Sequence, residues 1–303
     1  MRRELLRLLE RRPQLRGVDA DFSHLLATWF NPGFLDLRRV DWNSPAALLE
    51  EIIQHEAVHA IRDWSDLRRR LQQDRRCFAF FHPQLPGEPL IFVEVALVKA
   101  IPRSIAPLIG GDAAYANGAK PPRVAAFYSI SNCESGLKGV SLGNFLIKRV
   151  AEQLGAEAPS VKRYCTLSPV PGLRRWIAQV QGVAAAETLR RRHGAALDGM
   201  AAALLAGALG EQDSALLYAC AALYLVRFGA SALGDPVARF HLDNGARLER
   251  INLAADLSEK GLKESLGTMV NYLYDLSAVE SNHERFVRGE VVGSRQVLSA
   301  ARG

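Results

Sequence analysis

Pro236–Val237–Ala238–Arg239–Phe240–His241–Leu242–Asp243–Asn244–Gly245–Ala246 is a short amphipathic run that closes on Asn-Gly. The strand-like Arg247–Leu248–Glu249–Arg250–Ile251–Asn252–Leu253 follows it directly. Asn-Gly marks a turn because both residues tolerate a positive φ. The segment therefore predicts a helix, a tight turn and a strand, as found in α/β domains. An aromatic–histidine pair, Phe240–His241, occupies the last turn of that helix, with His241 four residues before Gly245.

The composition is that of a soluble globular protein, 49% apolar and 23% charged, and 303 residues allow one large domain or two unequal ones. The net charge of +6 comes with no lysine-rich run, RNA-binding signature or zinc-finger spacing, which argues against nucleic acid as a partner. Cys77, Cys133, Cys165 and Cys220 form no CxxC and no Cys/His cluster, so reduced thiols are expected. The longest apolar run, Ser214–Phe228, is bounded by Asp213 and interrupted by Arg227. It falls short of the roughly 18 apolar residues of a membrane span and reads as a buried helix. Met1–Arg16 is charged throughout and reads as no leader, so the expected location is cytoplasmic.

Residues 1–70 read as helical, with Arg2–Arg11 apolar on one face and Asn43-Ser44-Pro45 capping a helix over Ala46–His59. Cys77–Phe81, Leu90–Val98 and Val124–Ser131 read as strands, and Gln84–Pro89 as a turn. Leu142–Leu154 is helical, Arg163–Leu167 a strand and Gly172–Val180 a helix, with an Ala/Leu-rich helical region from Ala184 to Phe228. The expected fold is α/β with a helical N-terminal region and a helical insertion.

His55-Glu56-Ala57-Val58-His59 fits HExxH, which on a helix sets two histidines one turn apart around a base. No third ligand is evident, and Arg62-Asp63 stands where a zinc helix would stay apolar. The motif is expected to be a helix face running from surface to core, with no metal. Gly136–Leu137–Lys138–Gly139–Val140–Ser141–Leu142–Gly143–Asn144 follows a strand and opens a helix. Glycines let backbone amides approach an anion, and a helix N-terminus favours negative charge. Ser168 precedes Pro169, which fixes its backbone away from helix.

These segments resemble known families. The Phe240–Gly245 element and the glycine loop resemble the GNAT-type acyl-CoA acyltransferase fold, a mixed sheet flanked by helices. His241 stands where those enzymes usually carry a tyrosine. Phe81-His82-Pro83 with Pro86–Leu90, Phe127–Ser131, Gly139–Val150, Leu167–Gly172, Phe240–Ala246 and Asn271–Tyr274 together resemble the malonyl-CoA decarboxylase family, in family order.

The resemblance implies conversion of malonyl-CoA to acetyl-CoA and carbon dioxide, with Ser168 and His241 as the catalytic pair and no cofactor. It implies oxyanion or substrate contacts around Ser129, Ile130 and Ser131, with Asn244 and Tyr274 as further candidates. Gly136 to Asn144 would bind coenzyme A. His241 is expected to protonate Cα while Ser168 orients the departing carboxylate, or the two roles are reversed. Residues 1–70 would be the remainder of a helical oligomerisation domain, and 71–303 the catalytic domain with an insertion at about 184–230. A homo-oligomer, dimer or tetramer, is expected. The alternatives are an acyl-CoA-dependent acetyltransferase and a non-catalytic binding module.

Overall fold

The computed structural model describes residues 1–30, 32–110, 121–137, 140, 146–229 and 234–302. Helices α1 (Arg2–Leu9) and α2 (Arg16–Trp29) precede β1 (Asp36–Val40), α3 (Ala46–His55) and α4 (Trp64–Arg70). Strands β2 (Arg75–Phe81) and β3 (Pro89–Val98) follow, then α5 (Ala106–Ile109), β4 (Val124–Asn132) and α6 (Leu146–Glu157). Next come β5 (Arg163–Thr166), the two-residue β6 (Ser168–Pro169), α7 (Leu173–Gln179), α8 (Ala184–His193), α9 (Asp198–Leu205) and α10 (Glu211–Arg227). The chain ends with α11 (Pro236–Asp243), β7 (Arg247–Asn252), α12 (Glu259–Ser265), β8 (Met269–Tyr274), α13 (Val279–Val287) and α14 (Arg295–Ala300). Among the described residues, no helix is long and apolar enough to cross a membrane. All four cysteines are free and buried.

Two compact units form, one mainly from residues 1–97 and 127–160, the other mainly from 98–110 and 161–302. In the first, β1, β2 and β3 pair antiparallel. β3 is buried along its whole length, as a strand covered on both faces must be, and its residues are correspondingly apolar. Its one carboxylate, Glu94, pairs with the fully buried Arg70 at 2.9 Å. Burying either charge alone is costly, so the two are placed together.

The expectation that residues 1–70 are helical fails at β1. Asp36–Val40 is short, charged and mostly unburied, so its composition hides a strand that pairing with β2 creates. The helix after Pro45 also stops early, at His55 rather than His59. Ser44 does not cap it: its hydroxyl accepts the Asp41 N–H at 3.1 Å, closing the preceding turn.

In the second unit, β8 is central. It pairs antiparallel with β7 through Leu273↔Arg247 and with β5 through Leu273↔Cys165, so these neighbours lie on opposite sides of it. β6 continues the β5 register against β8, with Ser168 opposite Val270. Between them the ladder is carried by side chains. Asn271 Nδ2 donates to the Thr166 carbonyl at 2.8 Å, and the Tyr272 N–H donates to Thr166 Oγ1 at 3.3 Å. This local break lies two residues before Ser168.

Candidate active site

The local chemistry of α11 explains where His241 sits. Asp235 caps the helix, accepting the N–H groups of Val237 and Ala238, and Pro236 occupies the first helical position. Ala238, His241 and Leu242 form the buried face, at the spacing of one helical stripe. At the other end, Ala246 N–H donates to the His241 carbonyl and Gly245 N–H to that of Leu242. This is a Schellman closure with Gly245 at φ +76°. A Cβ on Gly245 would lie 2.1 Å from the Val279 carbonyl oxygen, so glycine is required by packing as well as by conformation.

His241 is thereby pressed into the core at 3% exposure, its ring stacked on Tyr272 with centroids 4.7 Å apart. Nε2 is 2.9 Å from Ser168 Oγ, and Nδ1 is 2.9 Å from the Tyr274 hydroxyl. Ser168 Oγ in turn donates to Thr166 Oγ1 at 2.9 Å. Alternation puts Thr166 and Ser168 on one face of their strand, and Tyr272 and Tyr274 on one face of β8.

The hydrogen bonds have a direction. A neutral imidazole has one donor and one acceptor nitrogen. The phenol is the stronger acid of the two hydroxyls, so Tyr274 donates to Nδ1. Nε2–H then donates to Ser168 Oγ, and the serine proton points to Thr166. Burial pulls the His241 pKa down to about 3 and holds the Tyr274 phenol well above its usual value. At neutral pH the chain Tyr274–His241–Ser168 is uncharged.

The other predicted residues fall as follows. Asn244 ends α11, its amide donating to the Phe240 carbonyl at 2.6 Å, while its buried Oδ1 has no hydrogen-bond partner among the described residues. Ser129 and Ser131, in the first unit, direct their hydroxyls to Glu56: Ser129 Oγ lies 2.8 and 2.6 Å from the two carboxylate oxygens, and Ser131 Oγ lies 3.2 Å from one of them. Ile130 between them is half-buried. Gly136 is half-buried, with its carbonyl accepting Arg2 Nη1 at 2.7 Å, and Leu137 and Val140 are buried. Lys138, Gly139, Ser141, Leu142, Gly143 and Asn144 lie outside the described residues.

The HExxH stretch does not form one helical face. Glu56 already has extended backbone, and its carboxylate also accepts the N–H groups of Val58 and His59, both at 2.8 Å. Two serine hydroxyls and two amides hold the side chain that a zinc site would use as a base. Among the described residues, no three His, Cys, Asp or Glu side chains are grouped so as to hold a metal ion. The first unit also contains a cavity of about 740 Å³ whose lining includes Glu51, Glu88 and Glu134. Arg3 and His55 also line it, paired with Glu134 and Glu51 respectively.

The sequence reading missed Thr166, Tyr272 and Asp235. Asp235-Pro236 before an apolar-periodic run is a helix-start signal that was available to it. The roles of Thr166 and Tyr272 depend on strand register, which no local motif announces.

The model of the malonyl-CoA decarboxylase C-terminal domain matches residues 33–302, and that of the N-terminal domain matches residues 1–30. The chain belongs to the malonyl-CoA decarboxylase family. Mitochondrial malonyl-CoA decarboxylase of Anser anser anser is 36% identical over 311 residues, covering 95% of this chain and 62% of that protein. The Rattus norvegicus protein is 36% identical over 321 residues, covering 98% and 65%. This chain therefore spans a little under two thirds of the length of these relatives. The crystal structure of malonyl-CoA decarboxylase from Cupriavidus metallidurans matches with a TM-score of 0.82 at 43% identity, over 99% of this chain and 75% of that one. The Agrobacterium vitis structure gives 0.81 at 46% identity, over 99% and 74%. The fold is the expected mixed sheet with flanking helices and a helical N-terminal region, as in these decarboxylase structures.

Proposed function

We propose that this chain is a malonyl-CoA decarboxylase, converting malonyl-CoA to acetyl-CoA and carbon dioxide. The observation that carries the reading is the uncharged, buried Tyr274–His241–Ser168 chain within a member of this family. Loss of carbon dioxide breaks the bond between Cα and the carboxyl carbon, and its electrons pass into the thioester as an enolate. Cα then takes a proton, and the thioester carbonyl re-forms.

Of the two divisions of labour, the geometry favours serine as the group that meets Cα. Both His241 nitrogens are engaged, and burial keeps the ring from taking up a second proton. A thioester enolate carbon is a stronger base than an alkoxide, so the Ser168 hydroxyl can protonate it. His241 Nε2–H replaces that proton, and the Tyr274 hydroxyl replaces it in turn at Nδ1. The resulting tyrosinate in a buried site regains its proton from solvent as product leaves. Before bond cleavage, the same serine hydroxyl orients the substrate carboxylate.

Coenzyme A binding by Gly136 to Asn144, and enolate or substrate contacts at Ser129 to Ser131, Asn244 and Tyr274, belong to the same proposal. So do independence from any cofactor, a homo-oligomer, a cytoplasmic location, and the division at residue 70 into an oligomerisation remnant and a catalytic domain. Family membership supports the coenzyme A and substrate contacts; the location and the boundary at residue 70 rest on the amino-acid sequence alone, and the two family models meet between residues 30 and 33 instead. Incubating the purified protein with malonyl-CoA and no acceptor amine should yield acetyl-CoA and carbon dioxide in equal amounts. Intact malonyl-CoA after prolonged incubation would refute the reading.

A further inference from the structure

We infer that Asp235 is a positioning residue whose single carboxylate ties the Ser168 turn to the His241 helix and so fixes the 2.9 Å contact between those side chains. The inference rests on the proposed reading of Ser168 and His241 as the reacting pair.

Asp235 is 1% exposed. Its Oδ1 accepts the Val237 and Ala238 N–H groups at 3.0 and 3.1 Å, closing the first turn of α11. Its Oδ2 accepts the Gly172 N–H at 3.0 Å, on the turn that leaves Ser168-Pro169. One side chain thus bonds both elements that carry the pair.

Capping alone does not call for this arrangement. Asp63 caps α4 through the same pattern of two N–H donors, and it does so exposed to solvent. Asp235 makes its cap in the core, where an ionised carboxylate is disfavoured and burial pushes its pKa up against three N–H donors. The third donor, Gly172, is what distinguishes it. A Cβ on Gly172 would lie 2.2 Å from the Tyr224 hydroxyl, so the turn is packed directly against that ring. Tyr224 is itself stacked on Trp176 at 5.1 Å. The Ser168 turn is therefore held between an aromatic wall and a carboxylate. α11 has only eight residues, so a shift at its first turn reaches His241 undamped.

Asp235→Asn and Asp235→Ser each retain a capping oxygen. In the first, the oxygen that caps leaves an amide facing the Gly172 N–H, donor against donor; in the second, the side chain is too short to reach both. Each variant should stay folded, with kcat for malonyl-CoA down roughly 30- to 100-fold and KM within about twofold, the scale of a misplacement near 1 Å. In a Ser168→Ala background, Asp235→Asn should lower the residual rate no further, because the contact it maintains is already gone. A loss of folded enzyme would lower the rate equally in both backgrounds.

A second readout needs no turnover: the ¹⁵N shifts of the His241 imidazole should move in Asp235→Asn as the Nε2 contact loosens. Near-normal kcat in both variants, an equal loss in the Ser168→Ala background, or insolubility of both variants would overturn the inference. If the wild type does not decarboxylate malonyl-CoA, the functional reading fails by itself, and the imidazole shifts decide Asp235: unchanged shifts overturn it.

Discussion

The Tyr274 hydroxyl lies 2.9 Å from Nδ1 of His241, on the ring nitrogen that Ser168 does not use. With the phenol donating, this contact fixes which tautomer His241 adopts and therefore which way the Nε2 proton points. Tyr274→Phe removes the donor while keeping the ring. Turnover of malonyl-CoA should fall roughly ten- to a hundredfold, the scale of a lost proton-transfer partner, with KM little changed. Wild-type kcat in this variant would remove Tyr274 from the relay.

Burial of His241 carries a stability signature. Its folded pKa is pushed down to about 3, while the unfolded chain titrates near 6.5. The stabilisation is thus fully present above about pH 6.5 and is lost as pH falls toward 3, because only the unfolded chain takes up the proton. Between pH 6 and 4, this group alone should reduce unfolding free energy by about 1.4 kcal/mol per pH unit. In His241→Gln that component is absent, so denaturant titrations across the same range should give a shallower slope. Parallel slopes would mean that the imidazole is charged or exposed in the folded chain.

Glu56 should matter to stability rather than to a metal. Its carboxylate satisfies the hydroxyls of Ser129 and Ser131 and the N–H groups of Val58 and His59. Glu56→Ala would strand these donors in the core, at a cost of about 2–4 kcal/mol in denaturant unfolding. Extensive chelation of the wild type should leave turnover intact, as should His55→Ala. Stoichiometric zinc whose removal abolishes activity would overturn this account.

Gly245→Ala tests the turn that ends α11. The new Cβ meets the Val279 carbonyl at a φ that L-residues rarely adopt. Destabilisation by at least ~1–2 kcal/mol is expected, the range for a strained αL position. A neutral effect in thermal unfolding would show that the α11–β7 junction is looser than described.

Much of this second-unit site was legible in the sequence because its signals are local. Asn244-Gly245 ends a helix, Pro236 begins one, and Ser168-Pro169 cannot be helical, so each predicted element appears where these residues put it. The failures are non-local. β1 is a strand only because β2 pairs with it, and its five residues carry no alternation of their own. HExxH suggested a continuous helix, but Ser129 and Ser131, more than 70 residues away, capture Glu56 and accompany the break at His55. The contact between Ser168 and His241 came from family resemblance. Its relay partner Tyr274 was named only as a substrate candidate, since nothing in either segment states the register of β8.

The pairing of Ser168 and His241 is tested by turnover of malonyl-CoA in Ser168→Ala, His241→Ala and the double variant, measured beside wild type at saturating substrate. Each single change should lower kcat by roughly two or more orders of magnitude, with binding of coenzyme A retained. Because the two side chains act as one chain, the double variant should be scarcely slower than the poorer single one. Near-normal decarboxylation by either single variant, or losses that multiply in the double, would contradict it.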